Sequence, residues 1–195
     1  MSHSISDMYA VTAPGGMFMV VVITLCALAT VLFAALSVWP TLRRAGWSAA
    51  VGSVLLGLSI YGLGDLLTPF ERLACRIADS GCSPAAQLAN TGGMLDALLS
   101  TVGILVFAAA AFFLAPAIRR TPGWQDWAWP ARWVGLAFIL ILVADVATSS
   151  LGLGGLMERI LAAFGAAAIG ALAWRISSRS EPQRPPVPEP GSVIS

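Results

Sequence analysis

Five ionisable residues stand inside or beside stretches that are otherwise apolar: Asp65, Asp96, Asp145, Glu158 and Arg159. An isolated charge placed in hydrocarbon costs at least about 2.5 kcal/mol even on lenient insertion scales, so such residues must face one another, water or protein. Carboxylates so placed can relay protons, act as general acids or bases, or pair with a cation. Tyr61 adds a phenol one helical turn before Asp65. Other reactive groups are scarce. His3 is the single histidine, which excludes a bis-histidine haem, and no HExxH, GxSxG or P-loop pattern occurs. Ser149 and Ser150 follow Asp145, but there is no lysine and no second histidine to activate them. No catalytic residue, metal site or cofactor is therefore expected.

The elements that must hold these residues are hydrophobic helices. The chain of 195 residues is 57% hydrophobic and 11% charged, with a mean hydropathy of +0.82. A soluble domain carries about 25% charged residues, so the composition points to the membrane. Net charge is +1, which gives no basic field for nucleic acid. Five segments reach the roughly 20 apolar residues needed to cross the hydrocarbon core. They run over 17–39, 48–67, 93–114, 131–151 and 156–176, the first closed by Pro40, the second by Thr68-Pro69 and the third ending before Pro116. The fold class is all-α: a polytopic transmembrane bundle of about five spans. Three parts are expected: an extracytoplasmic segment 1–16, a helical domain 17–176, and a disordered cytoplasmic tail 177–195 rich in proline.

Every basic residue is arginine, and eight of the eleven fall at sites that share one side in a five-span topology: Arg43, Arg44, Arg119, Arg120, Arg132, Arg175, Arg179 and Arg184. Positive charge marks the cytoplasmic side, so the N-terminus is read as outside and the C-terminus as cytoplasmic. The seven tryptophans lie near the same ends, as an interfacial belt would.

On that topology Asp65, Asp96, Asp145, Glu158 and Arg159 all fall in the outer half, and with Tyr61 they are expected to line one polar pocket. Faces at helical spacing support it: Ser53, Gly57, Tyr61 and Asp65; Asp96, Ser100 and Gly103; Asp145, Thr148, Ser149 and Gly152; Arg159, Ala163, Ala166 and Gly170. A plainer reading stands beside this one. Asp96 sits where a carboxylate favours a helix N-terminus, and an Asp145–Arg159 pair could serve only to fix helix register.

Cys26 lies within the first span and reads as packing. Cys75 and Cys82 share the longest loop, on the side where an oxidising exterior permits a disulfide, and a bridge that stiffens this loop is expected.

The segment Ser4-Ile5-Ser6-Asp7-Met8-Tyr9, then Pro14-Gly15-Gly16 and an apolar helix, resembles an inter-helix stretch of the bacterial membrane-protein family catalogued as domain of unknown function 998. The loop from Cys75 to Pro84 looks like that family's outer loop, and Gly155-Leu156-Met157-Glu158-Arg159-Ile160 is similar to the opening of its last helix. The resemblance covers nearly all the chain up to Ile176. It implies a helical integral membrane protein with polar residues on the outer side and no assigned activity. Members of that family usually have six helices, one of them before the segment that Ser4–Tyr9 resembles, so this chain is read as lacking the family's first helix. The family tends to carry a histidine where this chain has Asp96.

The expected function is that of a non-enzymatic protein of the bacterial inner membrane — carrier, sensor or accessory subunit — with an outward polar pocket. The alternative is a membrane-embedded enzyme acting on a lipid or lipid-linked substrate at the outer leaflet. Its partners are the bilayer, an unidentified small-molecule or lipid ligand, and a second copy in a homo-oligomer.

Overall fold

The structure, a computed structural model, describes residues 4–148 and 153–180. Five helices are long and apolar enough to cross a membrane: α1 (Gly16–Ala45), α2 (Trp47–Phe70), α3 (Thr91–Arg120), α4 (Gln125–Thr148) and α5 (Gly154–Arg179). No strand occurs among the described residues. Helix α3 lies against both α2 and α4, and α5 packs on α4. The core is built on α3, where Phe107, Ala110, Leu114 and Ile118 are buried against Val38, Leu56, Phe138 and Leu161. Phe107 lies between Tyr61, which it meets edge-on (ring centroids 4.9 Å apart), and Phe138, tilted against it (4.7 Å). Leu25, Leu140, Val143 and Val146 point outward and are exposed. An apolar surface of this extent suits lipid, not water.

Proline ends neither the first span nor the third, which Pro40 and Pro116 were expected to close, whereas the second ends beside Pro69 at Phe70. Helix α1 opens into a π turn over Ala34–Val38, passes Pro40 and runs to Ala45; Gly46, at φ +75°, then lets the chain reverse. Helix α3 carries Pro116 inside it and continues to Arg120. Helix-breaking residues are tolerated in spans because neighbouring helices and local π turns absorb the lost bond.

Helix α2 instead breaks where no proline stands. It is regular to Leu58, Ser59 is extended (ψ 176°), and a π turn follows over Ile60–Gly64. The Ser59 hydroxyl donates to the Leu56 carbonyl at 2.7 Å, and the Ser59 carbonyl accepts from Gly62 N (3.0 Å) and Gly64 N (3.2 Å). Helix α3 lies directly on this break, since a Cβ at Gly103 would stand 2.8 Å from Ile60 N. Gly103→Val is therefore expected to destabilise the bundle by about 1–3 kcal/mol, whereas Val102→Ala on the exposed side is nearly neutral. Melting curves in one detergent compare the two.

The break corrects one expected face. Ser53 and Gly57 look toward α1, whereas Tyr61 reaches α5, so the four-residue recurrence from Ser53 to Asp65 is not one surface. The expected face of α5 is also corrected. Ala163, Ala166 and Gly170 are exposed, and the helix packs through Leu161, Gly165, Ile169 and Leu172. A helix that is apolar all round gives no periodic signal for which side faces protein.

Helix α5 continues to Ser180, past the expected end at Ile176. The remainder of the expected tail, together with His3, Ser149, Ser150 and Gly152, lies outside the described residues. Trp124 is buried, and the Arg175 guanidinium lies 5.7 Å from its ring and 5.4 Å from that of Trp127. With the Arg175–Asp126 pair at 3.3 Å, this fixes the end of α5 to the α3–α4 connection.

Candidate functional site

At the opposite end of the bundle, residues 4–15 fold back over the tops of the helices as a strap. Its local structure is dictated by short polar side chains. Asp7 N donates to the Ser4 hydroxyl (3.2 Å) and Met8 N to the Ile5 carbonyl (2.9 Å), which winds Ser6–Tyr9 into a 3-10 turn. Gly15, at φ +72°, then turns the chain into α1.

Each anchor of the strap meets a different element. Tyr9 OH and Ser6 Oγ both donate to Asp96 Oδ1, at 2.8 and 3.1 Å. Ile5 N donates to Glu158 Oε2 at 2.8 Å. Arg72 donates through Nε to the Tyr9 carbonyl (2.9 Å) and through Nη2 to the Ala10 carbonyl (3.0 Å). Asp7 Oδ1 accepts from Gln87 Nε2 at 2.7 Å and Ile77 N at 3.3 Å. Thr12 donates to Asp79 in the Cys75–Cys82 loop. Asp96 is in place because Asn90 caps α3, its Oδ1 accepting from Gly93 N at 2.8 Å, while its Nδ2 holds the Arg72 carbonyl at 3.1 Å.

The expected disulfide between Cys75 and Cys82 is present. Within that loop Arg76 holds Asp79 at 2.5 Å. The hydrogen bond from Arg76, then that from Thr12, pulls the Asp79 carboxyl down to about 2. By linkage, that stabilisation is present above the ordinary aspartate value of 3.8 and is lost as pH falls toward about 2. Cys75→Ser with Cys82→Ser, or reduction, frees a closed loop of eight residues. The expected loss is about 2.5 kcal/mol on the chain-entropy relation, read as a lower melting temperature under reducing conditions.

Beneath the strap, carboxylates from separate segments interact. Asp65 lies near the end of α2, Glu71 directly follows that helix, and Asp96 and Glu158 lie in the opening turns of α3 and α5. Glu71 is only 3% exposed, and its Oε1 has no hydrogen-bond partner among the described residues. Burial, with the charges of Asp96 and Asp65 adding to it, pushes the Glu71 carboxyl up to about 8. Burial first, and then the Asp96 charge, also holds the Tyr9 phenol far above its ordinary range, so it stays protonated and remains a donor. Asp65 is half-buried, and no hydrogen bond to its carboxylate is formed among the described residues.

Of the six residues expected to share a pocket, Asp65, Asp96 and Glu158 come together. Asp145 lies at the edge of the group, its Oδ1 3.8 Å from where a Cβ on Gly154 would be, and its charge acts on Glu158. The Arg159 guanidinium donates to its own helix at the Gly155 carbonyl, 2.6 Å away, and its charge also acts on Glu158. Tyr61 serves as a strut: its hydroxyl lies within hydrogen-bond distance of the Leu161 (3.0 Å) and Ala162 (3.2 Å) carbonyls. Gly165 makes room for it, since a Cβ there would sit 2.1 Å from the Tyr61 oxygen.

Sequence reasoning missed Glu71, Ser6, Tyr9 and Arg72. Their signal was faint but present. Ser6 and Tyr9 belong to a polar opening ahead of a very apolar chain, and Glu71 and Arg72 follow directly on Pro69-Phe70. Among the described residues no three His, Cys, Asp or Glu side chains are placed to hold a metal ion. The chain matches no family model, and no similar curated protein or solved structure was found.

Proposed function

We propose that this chain is a non-enzymatic integral membrane protein whose strap-covered carboxylates bind and release a proton, as a sensor or accessory subunit of the bacterial inner membrane does. The observation that carries this reading is the position of Glu71: fully buried, one oxygen unpartnered, and facing Asp65 and Asp96 beneath the strap. A carboxyl in that setting is kept neutral by its surroundings and is poised to ionise when they change. The strap is the element that would report the change, because it is tied to Asp96 and Glu158 through Tyr9, Ser6 and Ile5. The arginine distribution supports the orientation in this reading, with the strap outside and the C-terminus in the cytoplasm. Kinship with the family that the chain resembles belongs to the same proposal.

The enzymatic alternative has less support. Asp96 is taken up by two strap donors and Tyr61 lies against backbone carbonyls, so both groups are engaged in holding the fold together.

Hydrogen–deuterium exchange of residues 4–15 in lipid nanodiscs tests the reading. Exchange is expected to be slow at neutral pH and to quicken above about pH 8, as Glu71 ionises next to Asp96. A strap whose exchange, corrected for intrinsic chemistry, is constant from about pH 6 to about pH 9 would contradict it.

A further inference from the structure

The arginines divide by what holds them. Arg72, Arg76, Arg159, Arg175 and Arg179 are each engaged by a carbonyl or a carboxylate. Arg43, Arg44, Arg119 and Arg132 form no hydrogen bond or ion pair among the described residues. Arg120 meets only the Ser48 hydroxyl, through Nη1 at 3.4 Å.

Four of these five stand together. The turn over Arg43–Ala45 that ends α1 packs on the end of α3, with Leu42, Ala45, Ala117 and Ile118 buried in one cluster. That contact carries Arg43, Arg44, Arg119 and Arg120 to one corner of the bundle, and the Arg120–Ser48 bond joins the corner to the start of α2. All four arginines are exposed. Among the described residues of this end the one carboxylate is Asp126, and Arg175 holds it at 3.3 Å. The corner therefore presents its positive charge with no counter-charge from the chain.

Depth selects the anion that supplies one. Trp39 and Trp47, on either side of the Arg43–Ala45 turn, are 40% and 78% exposed. Exposed indoles at the ends of spans sit at headgroup level. The anions at that level are lipid phosphates, which a guanidinium binds through two parallel N–H groups. A zwitterionic lipid brings its own ammonium to the phosphate, whereas a lipid of net negative charge gains from the unpaired arginines. We propose that the corner formed by Arg43, Arg44, Arg119 and Arg120 binds the phosphate of an anionic phospholipid. The site lies at the opposite end from the carboxylates, and the proposal holds whichever side of the membrane that end faces.

Headgroup photolabelling of the full chain in nanodiscs tests it, with photoactivatable phosphatidylglycerol and photoactivatable phosphatidylcholine as the probes. At about 50 mM NaCl, phosphatidylglycerol is expected to label peptides covering 40–48 and 117–124 roughly tenfold more than phosphatidylcholine does. The combined variant Arg43→Gln, Arg44→Gln, Arg119→Gln and Arg120→Gln is expected to lose most of that preference. If the variant does not insert, the wild type at about 0.5 M NaCl carries the test, because screening at that strength is expected to cut the preference several-fold. Equal labelling by the two lipids at low salt overturns the proposal. So does a preference that survives in the four-arginine variant or in high salt, or label concentrated at the strap end. Inorganic phosphate that removes the label more effectively than NaCl of the same ionic strength overturns it too, because the site would then be one for a free anion.

Discussion

Glu71→Gln is expected to raise the melting temperature at about pH 9 by several degrees and to leave it nearly unchanged near pH 5. The sign follows from where the proton resides. A carboxyl raised from 4.5 to about 8 binds its proton more tightly in the folded protein than in the unfolded one. Its contribution is fully present below about pH 4.5, declines as pH rises toward about 8, and is flat beyond that. In the wild type at alkaline pH, folding buries an unpartnered negative charge beside Asp65 and Asp96. Glutamine has the same shape and no charge, and its amide can donate to either neighbour. The gain is roughly 1–3 kcal/mol, the usual cost of an unsatisfied buried polar group, or several degrees for a chain of this size. Equal melting temperatures for the two proteins at alkaline pH would show that water reaches Glu71 and neutralises the cost.

Asp96→Ala is expected to release the strap. Tyr9 is buried, and its hydroxyl has Asp96 as acceptor, so truncation leaves a buried phenol with only Ser6 beside it. Hydrogen bonds to a charged acceptor contribute about 1.5–3 kcal/mol. The effect is local: exchange in residues 4–12 rises by more than tenfold, while α3 and α4 retain their protection. Asp96→Asn keeps an acceptor oxygen and is expected to lose much less. Tyr9→Phe isolates one of the two donors, and its effect on strap exchange is expected to fall between those of Asp96→Asn and Asp96→Ala. If Asp96→Ala unfolds the whole bundle instead, the strap is part of the core and not a cover on it.

The two variants probe features that differ in how plainly the sequence announces them. The five spans are legible because a bilayer imposes a length and a hydropathy that each segment meets separately. Cys75 and Cys82 are legible because a short loop brings them close whatever the helices do. Asp65, Asp96 and Glu158 could be placed at one end by counting along the spans. The helix ends at Pro40 and Pro116 were read too strictly, because packed neighbours let a span absorb a proline. The break at Ser59 was invisible: glycine and serine are frequent in spans, and the cause lies in the fit of Gly103 against Ile60. The strap was missed because its order comes from bonds across most of the chain, such as Ile5 to Glu158, which no local pattern encodes. Glu71 lay in a connection, where a glutamate reads as solvated; only the strap laid over it makes it buried.

Infrared difference spectroscopy of the nanodisc-embedded protein, titrated from about pH 6 to about pH 9.5, tests the proton site most directly. The expected result is a protonated-carboxyl band that persists at neutral pH, disappears near pH 8 and is missing from Glu71→Gln. A spectrum with no protonated carboxyl at neutral pH, or a band that survives unchanged in Glu71→Gln, would contradict the assignment of the proton to Glu71.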